Sequence, residues 1–449
     1  MFDQSFSVKN FRKIYDIDRK NKGTIEIEYF PEAYKIRIKI NLLRKSVKRL
    51  EKKKKSGLVT NLKYQERKNK FNSLIEIRNE QYNEVIENKL KEVVKIVSAK
   101  GYSLPLEKLP NKVRGKYVFT IGNKIESIFV SKQIQYTLNS LFDVRINHRD
   151  IIISRLSTLS KDMSPKFIIR ADVENFYESI NHKKLLDILH SSPKLSVTPR
   201  RVITQLVRNF SRIVGSDIGL PRGVGLSAYL SEVYMNSVDS EIRALQDITY
   251  YQRYVDDLII IFSPSKAENT SKYLTKIHSI INKKELALNN KTKELDLYNN
   301  DNASFEYLGY KFNIATGSCK IKLSNSKSKK IRNRINKTFD EYHNSFKKTP
   351  RRAYRNILLR LRFLTGNTRL YNSKSKAFVG IYFSNKFIND TSDLNGLDNF
   401  LTHKINGLQD QKLKNRISNL SFEKGFKDRI FRKFSIQDLS NISKVWKNG

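Results

Sequence analysis

The chain has 449 residues, 39% of them hydrophobic and 11% aromatic, which is enough for two or three domains and excludes a disordered chain. Its 86 lysines and arginines face 44 acids, a formal charge of +42, which points to a polyanionic partner, nucleic acid ahead of a membrane surface. One cysteine, Cys319, excludes a disulfide framework and a cysteine-based zinc site, and the six histidines form no HxxxH or HExxH. No apolar run approaches the roughly 18 residues of a membrane span. The opening MFDQSFSVKN, with Asp3 and no continuous apolar stretch, does not read as a secretory signal.

In chain order, the first strong feature is RKSVKRLEKKKK at 44–55, the densest basic run, helical in composition and ending near Gly57. It reads either as a solvated helix face or linker or as a phosphate-contacting element. From Leu74 to Val97, Ile75, Tyr82, Ile86, Leu90, Val93 and Val97 recur at helical spacing and predict an amphipathic helix. Residues 120–310 alternate β-rich and helical runs, as in a mixed sheet with packed helices. KFIIRAD (166–172) reads as a buried strand, and Asn181 as the cap of a helix, HKKLLDILH. Leu226, Leu230, Val233, Tyr234, Val238, Ile242 and Leu245 share one helical face. TYYQRYVDDLIIIF (249–262) predicts a hairpin of two β runs meeting at two aspartates, and FEYLGYKF (305–312) a short β segment. Beyond Ser324 the chain turns helical and basic. Ile331, Ile335, Phe339, Tyr342 and Phe346 form a stripe, and Thr349–Pro350 opens a second helix running to Gly366, so a helical hairpin is expected. The last eighty residues read as mixed.

The chemistry lies in the carboxylates. Asp256 and Asp257 stand side by side at the tip of an apolar hairpin, and Asp172 ends a buried strand. Taken singly, each reads equally as a turn former or surface acid. If strand and hairpin are neighbours in one sheet, Asp172 and Asp256 face each other, and their oxygens suit hard divalent cations, magnesium first. Two such ions about 4 Å apart serve phosphoryl transfer. A third feature is GLPRGVGLSAYLSEVYM (219–235), where three glycines surround Pro221 and Arg222 before a helix. Such a loop lets backbone approach a base or sugar, or simply precedes a helix.

The order of these features resembles the palm and thumb of reverse transcriptases. DVENFY from Asp172 is similar to their first palm motif, LPRGVGLS to the second and YVDD to the third. ALNNKT (287–292) is similar to the fourth, and FEYLGY to the primer grip. The likeness covers roughly 125–325. It implies an α+β right-hand polymerase fold. Residues 1–120 would be a basic, mostly helical N-terminal extension with fingers, 121–324 the fingers-palm core with an antiparallel palm sheet, and 325–449 a helical, basic thumb and C-terminal region. It also implies two magnesium ions, with manganese as the alternative, held by Asp172, Asp256, Asp257 and the carbonyl of Val173. A primer 3′-hydroxyl would attack the α-phosphorus of a dNTP. Tyr177, five residues after Asp172, stands at the family's steric gate against ribose, with a core tyrosine as the plain alternative. Arg222 replaces the usual glutamine of the second motif and would contact dNTP or template, while Gly223 and Ser227 fit the motif and Gly225 replaces a proline. Lys291 matches the lysine of the fourth motif, a proton donor to pyrophosphate, and reads equally as a solvated lysine. Arg149 is the triphosphate-binding cation expected from the fingers, and the thumb lysines and arginines would track a duplex backbone.

Group II intron and retroviral enzymes fit less well: no HNH-like endonuclease and no RNase H domain are marked. DVENFYESI, LPRGVGLSAYLSEVYM, LTGN (364–367) and GIYFSN (380–385) resemble the bacterial defence-associated reverse transcriptases, which include abortive-infection enzymes. The opening DQSFSVKNFRKIY resembles the first-subunit branch of the type 3 system. That likeness implies a bacterial cytoplasmic antiphage enzyme with a non-coding RNA as template or scaffold, a DNA product and dNTP substrates. It also implies a second reverse-transcriptase subunit as partner, with higher oligomers, and no membrane. Two other readings stay open: a template-independent or protein-primed DNA polymerase of the same fold, and a non-catalytic RNA-binding scaffold.

Overall fold

The computed structural model of the chain describes residues 3–21, 23–113, 115–144, 148–370 and 377–446. The chain divides into two compact units, Met1–Arg145 with Asn175–Ser237 and Ile146–Glu174 with Val238–Gly449, each built from two separate stretches.

The first unit is mainly helical. Pro31 opens a helix that runs to Lys55, followed by Ser56 and by Gly57 at φ +72°, the expected stop. A longer helix, Asn61–Val97, returns alongside it and buries Tyr64, Tyr82, Ile86, Leu90, Val93 and Val97. It starts thirteen residues before the expected Leu74, because Tyr64 is the only buried residue in its polar first turns and leaves no stripe to read; Ile75 is only half-buried. Phe11, Tyr15, Phe30 and Phe129 form an aromatic core with centroids 4.9–6.3 Å apart. Beside it, the hydroxyls of Tyr15 and Tyr82 both donate to Glu26 Oε1 (3.0 and 2.9 Å), while Arg37 pairs with Glu26 Oε2 at 2.6 Å. This buried knot ties the first four helices together. A short antiparallel pair, β1 (Glu107–Lys108) and β2 (Phe119–Thr120), follows. Asn181 caps the helix His182–Ser191 as expected, its side chain accepting from the Lys184 amide at 3.0 Å. The helix Gly225–Arg243 starts in this unit and buries the expected face from Leu226 to Ile242, whereas Leu245 lies beyond its end.

The second unit is built on a four-stranded antiparallel sheet ordered β4-β5-β3-β6, with β3 at Lys166–Asp172, β4 at Ile248–Tyr254, β5 at Asp257–Phe262 and β6 at Lys293–Leu297. Alternation assigns its faces. Phe167, Ile169, Leu258, Ile260 and Phe262 share one face, where Phe262 stacks on Tyr273 of the helix Thr270–Asn282 with centroids 4.0 Å apart. Ile168, Ile259 and Ile261 share the other and join a core with Ile152, Ile153 and Leu156 of the helix Arg149–Leu159. Arg170, Asp172 and Asp257 continue this second face to its end.

The single β segment expected at 305–312 is two strands of a three-stranded meander, β7 (Asn302–Tyr307), β8 (Tyr310–Ala315) and β9 (Ser318–Leu323). Leu308 and Gly309, at φ +46° and +79°, turn the chain between them. The helices Asn325–Phe346 and Pro350–Leu364 form the expected hairpin, with Ile335, Phe339 and Tyr342 buried on the first and Ala353, Ile357 and Leu361 on the second. Next, β10 (Asn367–Arg369) pairs with β11 (Phe378–Gly380) and brings LTGN and GIYFSN together. Asn367 Nδ2 donates to the Gly425 and Ile430 carbonyls (3.0 and 3.2 Å), and its Oδ1 accepts from the Tyr382 amide (2.9 Å). Gly380 has φ +134°, and a Cβ there would collide with the Gly366 carbonyl and Asn367. Helices Ser392–Asn406, Gln411–Ile417, Phe422–Lys427 and Ile436–Lys444 complete the unit. Among the described residues, no helix is long and apolar enough to cross a membrane.

Candidate active site

β3 and β5 run antiparallel with Asp172 opposite Asp257, so the two side chains share a face at the end of the pair. Asp256 lies in the adjoining turn beside Val255, whose φ is +61°. The chain is fastened around these acids. The Val173 amide donates to the Asp256 carbonyl (3.0 Å), the Asn289 amide to the Asp172 carbonyl (2.9 Å), and the Glu174 amide to the Ala287 carbonyl (2.8 Å). Residues 287–289 thus flank Asp172 on one side and the 255–257 turn flanks it on the other. From the meander, the Tyr307 hydroxyl donates to the Asp257 carbonyl at 3.1 Å.

Arg170, two residues before Asp172 and on the same strand face, reaches both acids. Its Nη2 lies 2.9 Å from Asp257 Oδ1 and 3.5 Å from Asp172 Oδ2, and its Nη1 donates to the Lys291 carbonyl at 2.9 Å. The three side chains are only 14–26% exposed. Burial pushes the Asp257 carboxyl up to about 6; Arg170 opposes this, while the charges of Asp172 and Asp256 add to it. Asp172 and Asp257 therefore converge, with Asp256 next in the chain, where one guanidinium only partly offsets the repulsion.

Under the turn sits a second arginine. Arg253 grips Asp239 through two parallel bonds (Nε to Oδ1 2.9 Å, Nη2 to Oδ2 2.8 Å), the Tyr251 hydroxyl donates to the same carboxylate (2.6 Å), and Arg253 Nη1 donates to the Val255 carbonyl (2.8 Å). This buried pair anchors the residue that precedes Asp256.

Hard oxygen donors suit magnesium, which is commonly held by one or two carboxylates, with water and substrate phosphates completing its shell. Asp172 and Asp257 beside one guanidinium, with excess negative charge, fit that requirement. Among the described residues, no group of three His, Cys, Asp or Glu side chains forms a ready metal cage.

The glycine-rich loop belongs to the first unit. Leu220 and Gly219 amides donate to the Tyr177 and Ile180 carbonyls (both 2.7 Å), and the Phe119 amide donates to the Arg222 carbonyl (2.7 Å). Gly223, at φ +93°, passes so close to β2 that a Cβ would lie 2.7 Å from the Phe119 carbonyl oxygen. Tyr177 is half-buried on the short helix Phe176–Ser179. Arg222 grips Glu178 through Nε (2.5 Å) and Nη2 (2.8 Å), and its guanidinium lies 5.3 Å from the centre of the Tyr177 ring. Burial raises the Glu178 carboxyl, but the hydrogen bonds and charge of Arg222, with Lys116, outweigh it and hold the group below its usual range.

The expected site residues thus fall into distinct settings. Asp172, Val173, Asp256 and Asp257 come together at one end of the sheet, with the backbone of Lys291 tied to them through Arg170 and its side chain exposed. Arg149 donates twice to the Leu308 carbonyl (2.9 and 2.8 Å) and lies 4.8 Å from the Tyr310 ring centre, so it fastens the β7–β8 turn. Arg170, Arg253, Tyr307 and Glu178 are additions from the structure. Of these, only Arg170 left a sequence signal, its i, i+2 spacing from Asp172 on a strand.

Residues 73–312, more than half of the chain, match the family described as "Reverse transcriptase (RNA-dependent DNA polymerase)". The chain therefore belongs to the reverse transcriptase family, and its helices and antiparallel sheets form a fold of that class. Among solved structures it is similar to Candida tropicalis telomerase in complex with a TWJ fragment of telomeric RNA (14% identity, 81% of this chain and 67% of that one, TM-score 0.36). It is also similar to the Candida albicans telomerase complex with such a fragment (13% identity, 78% and 62%, TM-score 0.36). Apo telomerase from Candida tropicalis shares 15% identity over 70% of this chain and 53% of that one, with a TM-score of 0.37. The chain spans between about half and two thirds of the length of these telomerases. A comparison with curated proteins returns no match.

Proposed function

We propose that this chain is an RNA-directed DNA polymerase of bacterial antiphage defence. It extends a 3′-hydroxyl with deoxynucleotides along an associated non-coding RNA and releases pyrophosphate. The observation that carries the chemistry is the convergence of Asp172 and Asp257 on one sheet face, with Asp256 in the adjoining turn. Two magnesium ions, held by Asp172, Asp256, Asp257 and the Val173 carbonyl, would supply activation of the attacking hydroxyl and charge neutralisation at the α-phosphate.

The chain's own residues supply the rest. Arg170 orients Asp172 and Asp257 and limits their mutual repulsion. Tyr177 presents its ring to the sugar and rejects a ribose 2′-hydroxyl by collision. Arg222, held by Glu178, presents a fixed cation to the nucleotide or template, and Gly223 lets the backbone pass close beside it. Lys291 gives a proton to the departing pyrophosphate. Arg149 must release Leu308 and Tyr310 before it can reach a triphosphate, so its first role is to fasten their turn. The defence setting and the second reverse-transcriptase subunit rest on the likeness of DVENFYESI, LPRGVGLSAYLSEVYM, LTGN and GIYFSN to defence-associated enzymes.

Purified protein with an RNA template, a DNA primer, magnesium and labelled dNTPs is expected to make DNA. Asp256→Ala is expected to lower the rate about a thousandfold while leaving the thermal melt nearly unchanged. Undiminished synthesis by that variant sinks the chemistry. Equal phage plating with and without the wild-type gene sinks the defence role.

A further inference from the structure

The N-terminal helical hairpin carries a feature that the polymerase chemistry does not use. Residues 44–70, the end of the helix Pro31–Lys55, its turn and the start of the helix Asn61–Val97, contain twelve lysines and arginines against two acids, a net +10. Residues 71–97 of the second helix carry four against five, a net −1. The charge is therefore gathered at one end of the hairpin. All twelve cations are exposed except the half-buried Lys68, and among the described residues none pairs with a carboxylate.

The arrangement follows helical spacing. Ala33, Ile40 and Leu50 form the buried face of the first helix. Beyond Ile40, two i, i+4 rows of exposed cations, Arg44–Lys48–Lys52 and Lys45–Arg49–Lys53, run along the helix, with successive charges about 6 Å apart along the axis. Like charges at this spacing destabilise a helix by a few tenths of a kcal/mol per pair, a cost that a polyanion would remove. Exposed Ile38 and Leu42 lie beside the cations of the first helix, and Leu58 and Leu62, both 74% exposed, lie in the turn and in the first turn of the second helix, so the exposed apolar residues are split among three elements and form no continuous stripe of the kind that seats a helix in a membrane surface. Tyr64, the one aromatic residue of 44–70, is buried, with Lys54 4.4 Å and Lys68 5.5 Å from its ring centre. No ring is offered for stacking on unpaired bases. What remains is a rod of cations suited to phosphates along a double helix.

We infer that residues 44–70 are a docking surface for double-helical RNA, gripped through its phosphates and not its bases. The choice of RNA over DNA rests on the proposed RNA-directed reading; the duplex and phosphate character rests on the hairpin alone.

The test compares the full chain with a Lys48→Gln, Arg49→Gln, Lys52→Gln, Lys53→Gln variant. Binding to a 20-base-pair RNA duplex, to DNA of the same sequence, to single-stranded RNA and to phosphatidylglycerol vesicles is measured across a salt series. The variant should lose roughly tenfold or more in duplex RNA affinity near physiological salt and show a shallower dependence of log K on log salt, by about 0.9 for each phosphate it no longer neutralises. Acetylation footprinting of the wild type should show these lysines protected by the RNA duplex. An unchanged slope with unprotected lysines overturns the inference, as does tighter binding to single strands or vesicles. Equal affinity for DNA overturns the assignment to RNA. DNA synthesis on a short primer-template reports the polymerase reading separately: its absence in the wild type leaves the docking surface standing, and its presence does not rescue an unchanged variant.

Discussion

Two arginines flank the β4–β5 turn and do different things with similar chemistry. Arg253 meets one carboxylate with two matched bonds, Tyr251 fills a further site, and the pair is 3% and 13% exposed. It is a closed fastener. Arg170 is divided between two carboxylates, at 2.9 and 3.5 Å, with a third acid on the next turn. It is an open arrangement with negative charge to spare, in which burial first, and the neighbouring acids after it, raise Asp257 against the pull of Arg170. The difference teaches that satisfaction, and not the mere presence of an ion pair, separates a structural arginine from one at a reactive centre.

The strongest way to break this comparison is to remove the fastener. Arg253→Met leaves Asp239 as an uncompensated buried charge and should cost about 3–5 kcal/mol in urea unfolding. The double variant with Asp239→Leu should recover part of that loss. A loss below ~1 kcal/mol would place Arg253 in the same category as a surface pair. Arg170→Met should have a smaller effect, and one that depends on cations. Without the guanidinium, Asp172 and Asp257 repel each other unshielded, so added magnesium should raise the melting temperature of this variant more than that of the wild type. Identical magnesium responses in scanning fluorimetry contradict the open arrangement.

A finer test concerns a third cation. Burial, with the charge of Arg149 adding to it, pushes the Lys327 ammonium down to about 7. Below that pH the folded chain carries the full cost of a poorly solvated charge. Between about 7 and the ordinary lysine value near 10.4, the unfolded chain binds more protons than the folded one, so stability rises with pH. The stability of wild type relative to Lys327→Met should therefore climb between pH 7 and 9. A difference that stays flat in denaturant titrations refutes it.

Much of the sheet end was legible because its signals are local. KFIIRAD, YVDD and the Asn181 cap each declare themselves within a few residues, but the residue opposite Asp172 is Asp257 and not the expected Asp256, because Val255 and Asp256 are taken up by the turn and β5 starts one residue later. The polar start of the helix at Asn61 left no apolar period, and the FEYLGY turn depended on a leucine at positive φ, which composition does not favour. The partners of charged side chains were harder to see. Glu178 lies 44 residues from Arg222, and Leu308 lies 159 from Arg149. Such pairings arise from tertiary packing, and neither periodicity nor spacing encodes them.

Val255 carries a last consequence. A β-branched residue at φ +61° is held against its own conformational preference, so the neighbouring Arg253 and strand contacts must keep the bend in place. The bend is thus borrowed from its surroundings: Arg253 on the Val255 carbonyl and the Val173 amide on the Asp256 carbonyl hold it. Removing Arg253 should free the bend, so amide exchange at 255 and 256 should quicken in Arg253→Met relative to the sheet interior, and the acidic tip should lose the fixed setting that those contacts impose.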